Sequence, residues 1–149
     1  MPLLFPKPER QPKPKRVSSR RREKDRERRR EKCIIGDVRS EVDGRDGYCR
    51  LYVLDAAWRA ELFAMFGACR GASELAHFGR HRRARTRGQA PELRHTVAGS
   101  LKLCNGHHQS GTAAYDAGTL LIEAVSGNGT NGRLTFSTKD GLSAYTESI

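Results

Sequence analysis

The chain has 149 residues and a formal net charge of +11, from 28 Lys and Arg against 17 Asp and Glu. This length fits one compact domain and excludes two full-sized ones, and the charge excludes an acidic or neutral housekeeping domain. No apolar run reaches the roughly 18–20 residues that cross a bilayer, and the apolar residues 3–5 are too few for the core of a signal peptide. We therefore expect no membrane segment and a cytoplasmic protein.

The positive charge is concentrated at the N-terminus. Residues 1–32 hold 14 Lys and Arg and 5 Asp and Glu, a local charge of +9, which leaves +2 for residues 33–149. Proline alternates with charged residues over 6–16, a composition typical of disorder. Every residue over 20–32 is charged, and opposite charges at i,i+3 after an N-cap at Ser18 or Ser19 predict a solvated helix that packs on nothing. Residues 1–32 are thus predicted to be a disordered to helical basic tail.

The folded domain is predicted over residues 33–137. Its first helix has apolar residues at helical spacing, namely Ile34, Ile35, Val38 and Val42, and ends at 45–47. Cys33 lies within this helix and is expected to be a small core residue. A second helix over 56–66 has one apolar face that is typical of a core, formed by Trp58, Leu62, Met65 and Phe66.

The C-terminal third has the pattern of a β-hairpin. Strand-like runs cover 120–125 and 134–137, and the segment 126–132 between them is rich in Gly and Asn, which tolerate positive φ. Residues after Thr138 lack periodicity, so 138–149 are predicted to be a flexible C-terminus.

Cysteine and histidine residues form the most informative pattern. There are four cysteines, and all five histidines lie within 77–108. In a reducing compartment such residues favour metal ligands over disulfides. The Asn-Gly turn between Cys104 and His107 allows both side chains to bind one tetrahedral ion, and Cys49 and Cys69 would complete a Cys3His zinc site. The alternative is a set of unliganded buried thiols.

Four sequence blocks carry a family resemblance. They are RDGYCR at 45–50, CRGASELAH at 69–77, SLKLCNGHH at 100–108 and YDA at 115–117. In this order and spacing they resemble the HNH endonucleases encoded by phages and prophages. The resemblance implies a ββα-metal (HNH) nuclease core with a zinc-braced hairpin. With the preceding helices and the C-terminal β-hairpin predicted above, the expected fold is α+β. The resemblance further implies DNA as substrate, phage terminase as a partner and the bacterial host cytoplasm as the location.

The resemblance also implies roles for single residues. His77, at the end of a strand over 74–76, corresponds to the general base that takes a proton from the attacking water. His108 corresponds to a ligand of the catalytic Mg²⁺ or Mn²⁺, and Asp116 is the candidate second ligand. Ser100 stands where the family has an asparagine that orients the base. The family often has Asp or His just before the base, where this chain has Ala76; Glu74 is a candidate substitute.

Arginines follow His77 directly and are expected to bind the nucleic-acid backbone: Arg80, Arg82, Arg83, Arg85 and Arg87. His81 and His95, each beside an arginine, are expected to be exposed members of this basic patch rather than ligands. Without the family pattern, His77 would instead be interpreted as a core histidine with satisfied hydrogen bonds.

These patterns support three hypotheses about function. The first is a metal-dependent endonuclease that hydrolyses DNA phosphodiester bonds. The second, motivated by Ala76 and Ser100, is a catalytically inactive zinc-binding protein that binds nucleic acid. The third is an RNA-associated basic protein of the ribosomal type, which only the tail favours.

Overall fold

The structure is a computed structural model that describes residues 10–53, 59–79 and 88–148. Trp58, His81 and the five predicted DNA-binding arginines, Arg80, Arg82, Arg83, Arg85 and Arg87, lie outside the described residues. The described chain is α+β, with a few helices and two small antiparallel sheets. None of its helices is long and apolar enough to cross a membrane.

The first helix, α1, runs over Ser19–Asp46. Its start is capped by the Ser18 hydroxyl, which accepts a hydrogen bond from the Arg21 amide, and its end is Gly47 at φ 65°, where a side chain would be strained. The predicted tail helix and the predicted first core helix are therefore one continuous helix. Both the N-cap and the helix end were predicted from the sequence.

Two expectations about α1 were wrong. The C-terminal end of the segment 20–32 contacts the rest of the protein, because Glu31 pairs with Arg94 and His95. Cys33 is exposed rather than buried. It precedes the buried Val38 by five residues, and five residues rotate the side chain about 140° around a helix, away from the packed face.

Two short helices follow, α2 over Arg50–Val53 and α3 over Arg59–Phe66. Leu62 and Phe66, one helical turn apart, are buried in α3, and Met65 packs against the same core. The described part of the second predicted helix thus has the expected apolar face.

A two-stranded hairpin forms the centre of the fold. Strand β1 covers Ser73–His77 and pairs antiparallel with β2 over Ser100–Cys104. The helix α4, Pro91–Arg94, lies in the long connection between them. Because the strands are antiparallel, Ser73 pairs with Cys104 at one end and His77 with Ser100 at the other. The hairpin therefore separates the cysteine end of the site from the His77 end.

The chain then forms a π-helical turn over Gly106–Ser110 and a second sheet of order β3-β4-β5. The strands cover Leu120–Ala124, Leu134–Thr138 and Ala144–Thr146, and a 3-10 turn over Gly129–Asn131 joins the first two. The predicted β3-β4 hairpin is present. Side chains of both sheets and α3 share one core, which includes Leu62, Leu101, Leu103, Leu120 and Phe136.

The predicted flexible C-terminus was a wrong expectation for residues 144–147. β5 pairs with β4, and Glu147 is buried. Glu147 accepts hydrogen bonds from Arg50 Nε at 2.7 Å and from the Leu134 amide at 3.1 Å. This order depends on a partner 97 residues earlier in the chain, which a search for local periodicity does not detect.

A buried ion network joins α1 to both sheets. Asp46, fully buried at the end of α1, accepts hydrogen bonds from Arg45 Nη2 at 2.7 Å, Arg50 Nη1 at 3.0 Å and the Lys102 amide at 3.0 Å. Arg50 continues to Glu147, so the network spans the end of α1, β2 and the C-terminal segment. A buried carboxylate with this many donors is satisfied where it lies, and the contacts hold α1 against the hairpin.

Candidate functional site

Three thiols and one imidazole meet at the cysteine end of the hairpin. One ligand atom each from Cys49, Cys69, Cys104 and His107 lies within 4.8 Å of the others. Cys49, Cys104 and His107 are buried, and Cys69 is partly buried. These four residues are the ones that the sequence predicted for a zinc site, and the arrangement could hold a metal ion such as zinc.

Turns bring the four residues together. Cys49 follows the Gly47 turn at the end of α1, and Cys69 follows α3 after Gly67, whose φ is 81°. Cys104 ends β2, and the Asn105 amide donates to the Ala72 carbonyl at 2.8 Å. This bond closes the β1-β2 pair next to Cys104, so the turn that leads to His107 is held beside Cys69.

The distances within the cluster match those around a tetrahedral ion. With Zn–S near 2.3 Å and Zn–N near 2.0–2.1 Å, tetrahedral geometry separates nitrogen and sulfur by roughly 3.5 Å. His107 Nδ1 lies 3.2 Å from the sulfur of Cys104, 3.6 Å from that of Cys69 and 3.7 Å from that of Cys49. The donor set and its spacing therefore fit zinc.

The other nitrogen of His107 has partners of its own. Nε2 lies 3.0 Å from the Gly67 carbonyl and 3.2 Å from the Phe66 carbonyl, so its hydrogen is donated there. In the neutral imidazole, a hydrogen on Nε2 leaves the lone pair on Nδ1, which is directed at the sulfurs. Backbone carbonyls fix metal-binding histidines in this way in many sites.

The side chains of the cluster share protons, and this shifts their pKa values away from the ordinary ones. Burial lowers the pKa of His107, but hydrogen bonds with Cys104 and Cys49 outweigh it and raise that pKa to about 10. Hydrogen bonds with Cys49 and Cys69 lower the pKa of Cys104, whereas those with Cys104 and Cys49 raise the pKa of Cys69. Such close thiols and imidazole compete for protons that a bound cation would displace.

A second cluster surrounds His108, the residue after the cluster ligand His107. His108 Nδ1 lies 2.6 Å from Glu74 Oε2, and Nε2 lies 3.2 Å from Asp116 Oδ2. Glu74 also accepts a hydrogen bond from Asn105 Nδ2 at 2.9 Å, and this bond together with His108 lowers the pKa of the Glu74 carboxyl. Both carboxylates considered in the sequence analysis thus contact His108.

Asp116 and Glu74 differ in how firmly they are held. The Asp116 side chain is 51% exposed, and the Glu74 side chain is 28% exposed and bonded to Asn105. The two carboxylates contact different ring nitrogens of His108, so Asp116 is the one placed to share an ion with Nε2, while Glu74 stays on Nδ1. Imidazole with carboxylates suits hard divalent cations such as Mg²⁺ and Mn²⁺.

His77 lies at the opposite end of the hairpin from Cys104. Its Nε2 lies 3.0 Å from His95 Nδ1, and His95 Nε2 lies 2.9 Å from Glu31 Oε1. The expectation that His95 belongs to an exposed patch was wrong, because its side chain is 11% exposed and bonded on both sides. Three elements, β1, the end of α4 and α1, contribute one side chain each to this row.

Ser100 pairs with His77 in the strand register and is fully buried. Its carbonyl accepts hydrogen bonds from Arg45 Nη2 at 2.8 Å and Thr130 Oγ1 at 2.7 Å, while its hydroxyl has no hydrogen-bond partner within the described chain. Ser100 thus lies opposite His77 in the strand pair, but the imidazole that hydrogen-bonds His77 is that of His95.

Sequence reasoning missed Glu31, His95 and Asn105 as members of these clusters. Glu31 is 64 residues from His95 and appears in the sequence as one acid among many in a charged helix. Asn105 appears only as a turn residue. The single available signal was that His95 falls within the segment that contains all the histidines.

Comparisons with known proteins give no match. No family model, no curated protein and no solved structure matches this chain.

Proposed function

We propose that the protein is a metal-dependent endonuclease of the HNH type that hydrolyses DNA phosphodiester bonds. The observation that carries this proposal is the order of three groups of functional side chains along one hairpin. A Cys3His cluster lies at one end, His108 with two carboxylates follows it directly, and His77 pairs with Ser100 at the other end. The resemblance of the sequence blocks to that family points to the same use of these residues.

In this proposal the Cys3His cluster holds a structural zinc. All four ligand positions are filled by protein, which is typical of structural rather than catalytic zinc sites. Zinc would join the end of β2 to the segments around Cys49 and Cys69. The hairpin that carries His77 is thereby fixed relative to α1 and α3.

His108 and Asp116 would hold the catalytic Mg²⁺ or Mn²⁺, and Glu74 would orient His108 from its Nδ1 side. When bound, such an ion offsets the negative charge that develops on the phosphate and leaving oxygens. Asp116, the more exposed carboxylate, would move from His108 Nε2 to admit the ion, while the hydrogen bond from Asn105 keeps Glu74 in position. His77 acts as the base that accepts a proton from the attacking water.

Positive charge for the DNA backbone is available beside the Glu31–His95 contact. An open groove of about 720 Å³ lies between α1 and the segment 88–94. Its basic lining residues are Lys24, Arg28, Arg30 and Arg94, against the acids Glu27 and Glu31. Together with the other cations of the tail, they would add affinity that does not depend on sequence and falls with salt.

A plasmid nicking assay with Mg²⁺ or Mn²⁺ tests the proposal. His77→Ala should lower the cleavage rate about 10²–10⁴-fold, the range for loss of a general base. Zinc content equal to that of wild type serves as the folding control, since His77 is not a cluster ligand. Equal cleavage by wild type and His77→Ala would contradict the proposed role.

The second candidate is a zinc-binding protein that binds nucleic acid without cutting it. It is favoured by Ala76 in place of a metal ligand and by the Ser100 hydroxyl, which has no partner among the described residues. It predicts binding whose log K falls by about 0.9 per phosphate contact for each log unit of salt on duplex DNA, with no cleavage under any divalent ion. The nicking assay therefore separates the two candidates.

A further inference from the structure

Two segments that carry ligands of the Cys3His cluster lie against each other. The segment 69–71 holds one ligand and the segment 104–107 holds two, namely Cys69, Cys104 and His107. The Gly106 amide donates a hydrogen bond to the Arg70 carbonyl at 3.0 Å, which joins the two segments through their backbones. A Cβ at Gly106 would lie 2.8 Å from Cγ of Arg70, too close for an undisturbed contact. The second segment therefore has a glycine where the Arg70 side chain crosses it.

The Arg70 side chain continues past Gly106 to the far end of the π-helical turn Gly106–Ser110. Its Nη2 donates to the Ser110 carbonyl at 2.8 Å. The Ser110 hydroxyl donates in turn to Asn105 Oδ1 at 2.6 Å, so Ser110 is bonded on both sides. Although Arg70 is exposed, its guanidinium is thus fixed across the turn that contains His107.

The cluster becomes anionic when it holds zinc. Three thiolates, one neutral imidazole and Zn²⁺ sum to a net charge of about −1. Because Cys49, Cys104 and His107 are buried, water screens this charge weakly. Arg70 follows the ligand Cys69 in the chain and is always protonated. Its bonds across the turn hold this positive charge next to the metal complex.

We propose that Arg70 is a positioning residue of the metal cluster: its side chain joins Cys69 to the segment 104–107, and its charge stabilises the anionic zinc complex. The inference rests on zinc in the cluster and goes beyond the proposed nuclease function, since it concerns metal affinity rather than cleavage. It also connects the zinc cluster with His108, because the turn that Arg70 crosses carries both His107 and His108.

Competition of the full-length protein with a zinc chelator tests the proposal. Arg70→Met keeps an unbranched side chain over Gly106 but removes the charge. Zinc affinity should fall about three- to tenfold, less than the roughly 10–100-fold typical for a group bonded directly to a ligand, because Arg70 is exposed. Arg70→Lys should stay within about twofold of wild type, since lysine also places a cation beside the turn.

Salt separates the charge of Arg70 from the packing of its side chain. Added salt screens an exposed charge, so the difference in zinc affinity between wild type and Arg70→Met should shrink as salt rises from about 0.01 M to about 0.5 M. Packing against Gly106 does not depend on salt in this way. A difference that stays constant over this range, or an equal loss in Arg70→Lys, would show that the charge does not act on the metal.

Gly106→Ala tests the contact between the two segments without a change of charge. The added methyl group must displace the Arg70 side chain, so zinc affinity should fall in the wild-type background and fall less in the Arg70→Ala background. Equal effects in the two backgrounds would contradict the joining of the segments by this side chain. The salt series on Arg70→Met decides the role of the charge whether or not Gly106→Ala folds.

Arg39→Met is the matched control, since it removes the same charge from an exposed position on α1. Its zinc affinity should equal that of wild type at every salt concentration. Equal affinities of Arg70→Met and Arg39→Met would overturn the inference, whether or not the protein cuts DNA. A wild type that binds zinc but cuts no DNA would end the nuclease proposal and leave the role of Arg70 intact. A wild type that binds no zinc would overturn the zinc site and this inference together.

Discussion

Cys104 Sγ lies 3.2 Å from Nδ1 of His107, three residues later in the chain. This contact links the end of β2 to the turn that follows it. Two further sulfurs lie within 3.7 Å of the same nitrogen, so four segments of chain depend on one group of ligand atoms.

Replacement of a cluster cysteine should therefore remove the metal and unfold much of the protein. We expect purified wild type to contain one zinc per chain and Cys104→Ser to contain almost none. Structural zinc contributes about 10–16 kcal/mol in zinc-finger peptides, more than the total stability of most domains. Metal analysis with thermal unfolding measures both effects.

Cys33→Ser is the control for this prediction. Cys33 is an exposed thiol on α1 and is not a member of the cluster. The variant should keep its zinc and melt within a degree or two of wild type. Equal zinc in Cys104→Ser and Cys33→Ser would show that the cluster does not bind the metal.

The buried Asp46 should be among the most sensitive positions for stability. Asp46→Asn removes the charge that faces Arg45 and Arg50 and leaves those guanidinium groups short of a partner. Removal of one partner of a buried ion pair lowers the free energy of unfolding by about 3–5 kcal/mol. Urea unfolding of the zinc-loaded protein measures this loss.

Asp37→Asn, at an exposed position of the same helix, makes the same chemical change and should cost less than about 0.5 kcal/mol. A loss for Asp46→Asn as small as that for Asp37→Asn would mean that the network does not stabilise the fold.

Glu74 should contribute stability that depends on pH. The hydrogen bond from Asn105, with the contact to His108, lowers its pKa in the folded state. A lowered folded pKa gives stability that is present above the unfolded pKa, about 4.3, and is lost as pH falls through the folded value. The stability difference between wild type and Glu74→Gln should thus be constant at neutral pH and shrink below about pH 4.3.

Denaturant unfolding of both proteins over this pH range measures the difference. Acid would also release zinc from the cluster, so the comparison covers the pH range in which metal analysis shows that both proteins keep it. A difference that grows as pH falls would contradict the assigned shift.

A short and a long deletion of the tail should have different effects. Residues 1–18 carry five Lys and Arg and one Glu, a charge of 5 − 1 = +4, and precede α1. Removing them should weaken DNA binding severalfold at low salt without changing kcat, since they are distant from Glu31 in sequence. Removing 1–32 also deletes Glu31, which contacts His95 beside the proposed base His77, and should lower kcat.

Salt-dependent DNA binding and single-turnover cleavage by the two truncated proteins separate the effect on affinity from the effect on kcat. The shorter deletion should reduce the slope of log K against log salt by at most about 0.9 for each phosphate that the tail neutralises. An equal loss of kcat in both would show that the tail has a role in catalysis itself.

Local patterns in the sequence predicted a large part of this molecule. Ser18 as a cap, the helix end at Asp46, the strand that ends at His77 and the β3-β4 hairpin follow from signals within a few residues. The set of four candidate zinc ligands was also predicted, because cysteines and a histidine beside turn residues are typical of metal sites.

Tertiary structure decided which of these segments meet. Glu31 joins His95 across 64 residues, and Arg50 joins Glu147 across 97. These contacts depend on how α1 packs across the hairpin and on where the C-terminal strand pairs, and periodicity along the chain does not encode either. For the same reason the sequence misassigned residues 144–147 to a flexible end. Cys33 was misassigned for a different reason, since helical periodicity from Val38 already turns it away from the packed face.

The sequence by itself thus determined the charge of the tail, the helix and strand segments and the metal-ligand set, because each depends on neighbouring residues and side-chain chemistry. Only the tertiary structure decided that the charged helix contacts a histidine row and that a C-terminal glutamate is buried. Ion pairs of this kind form where packing brings distant charges together and excludes water, and that condition exists only in the folded chain.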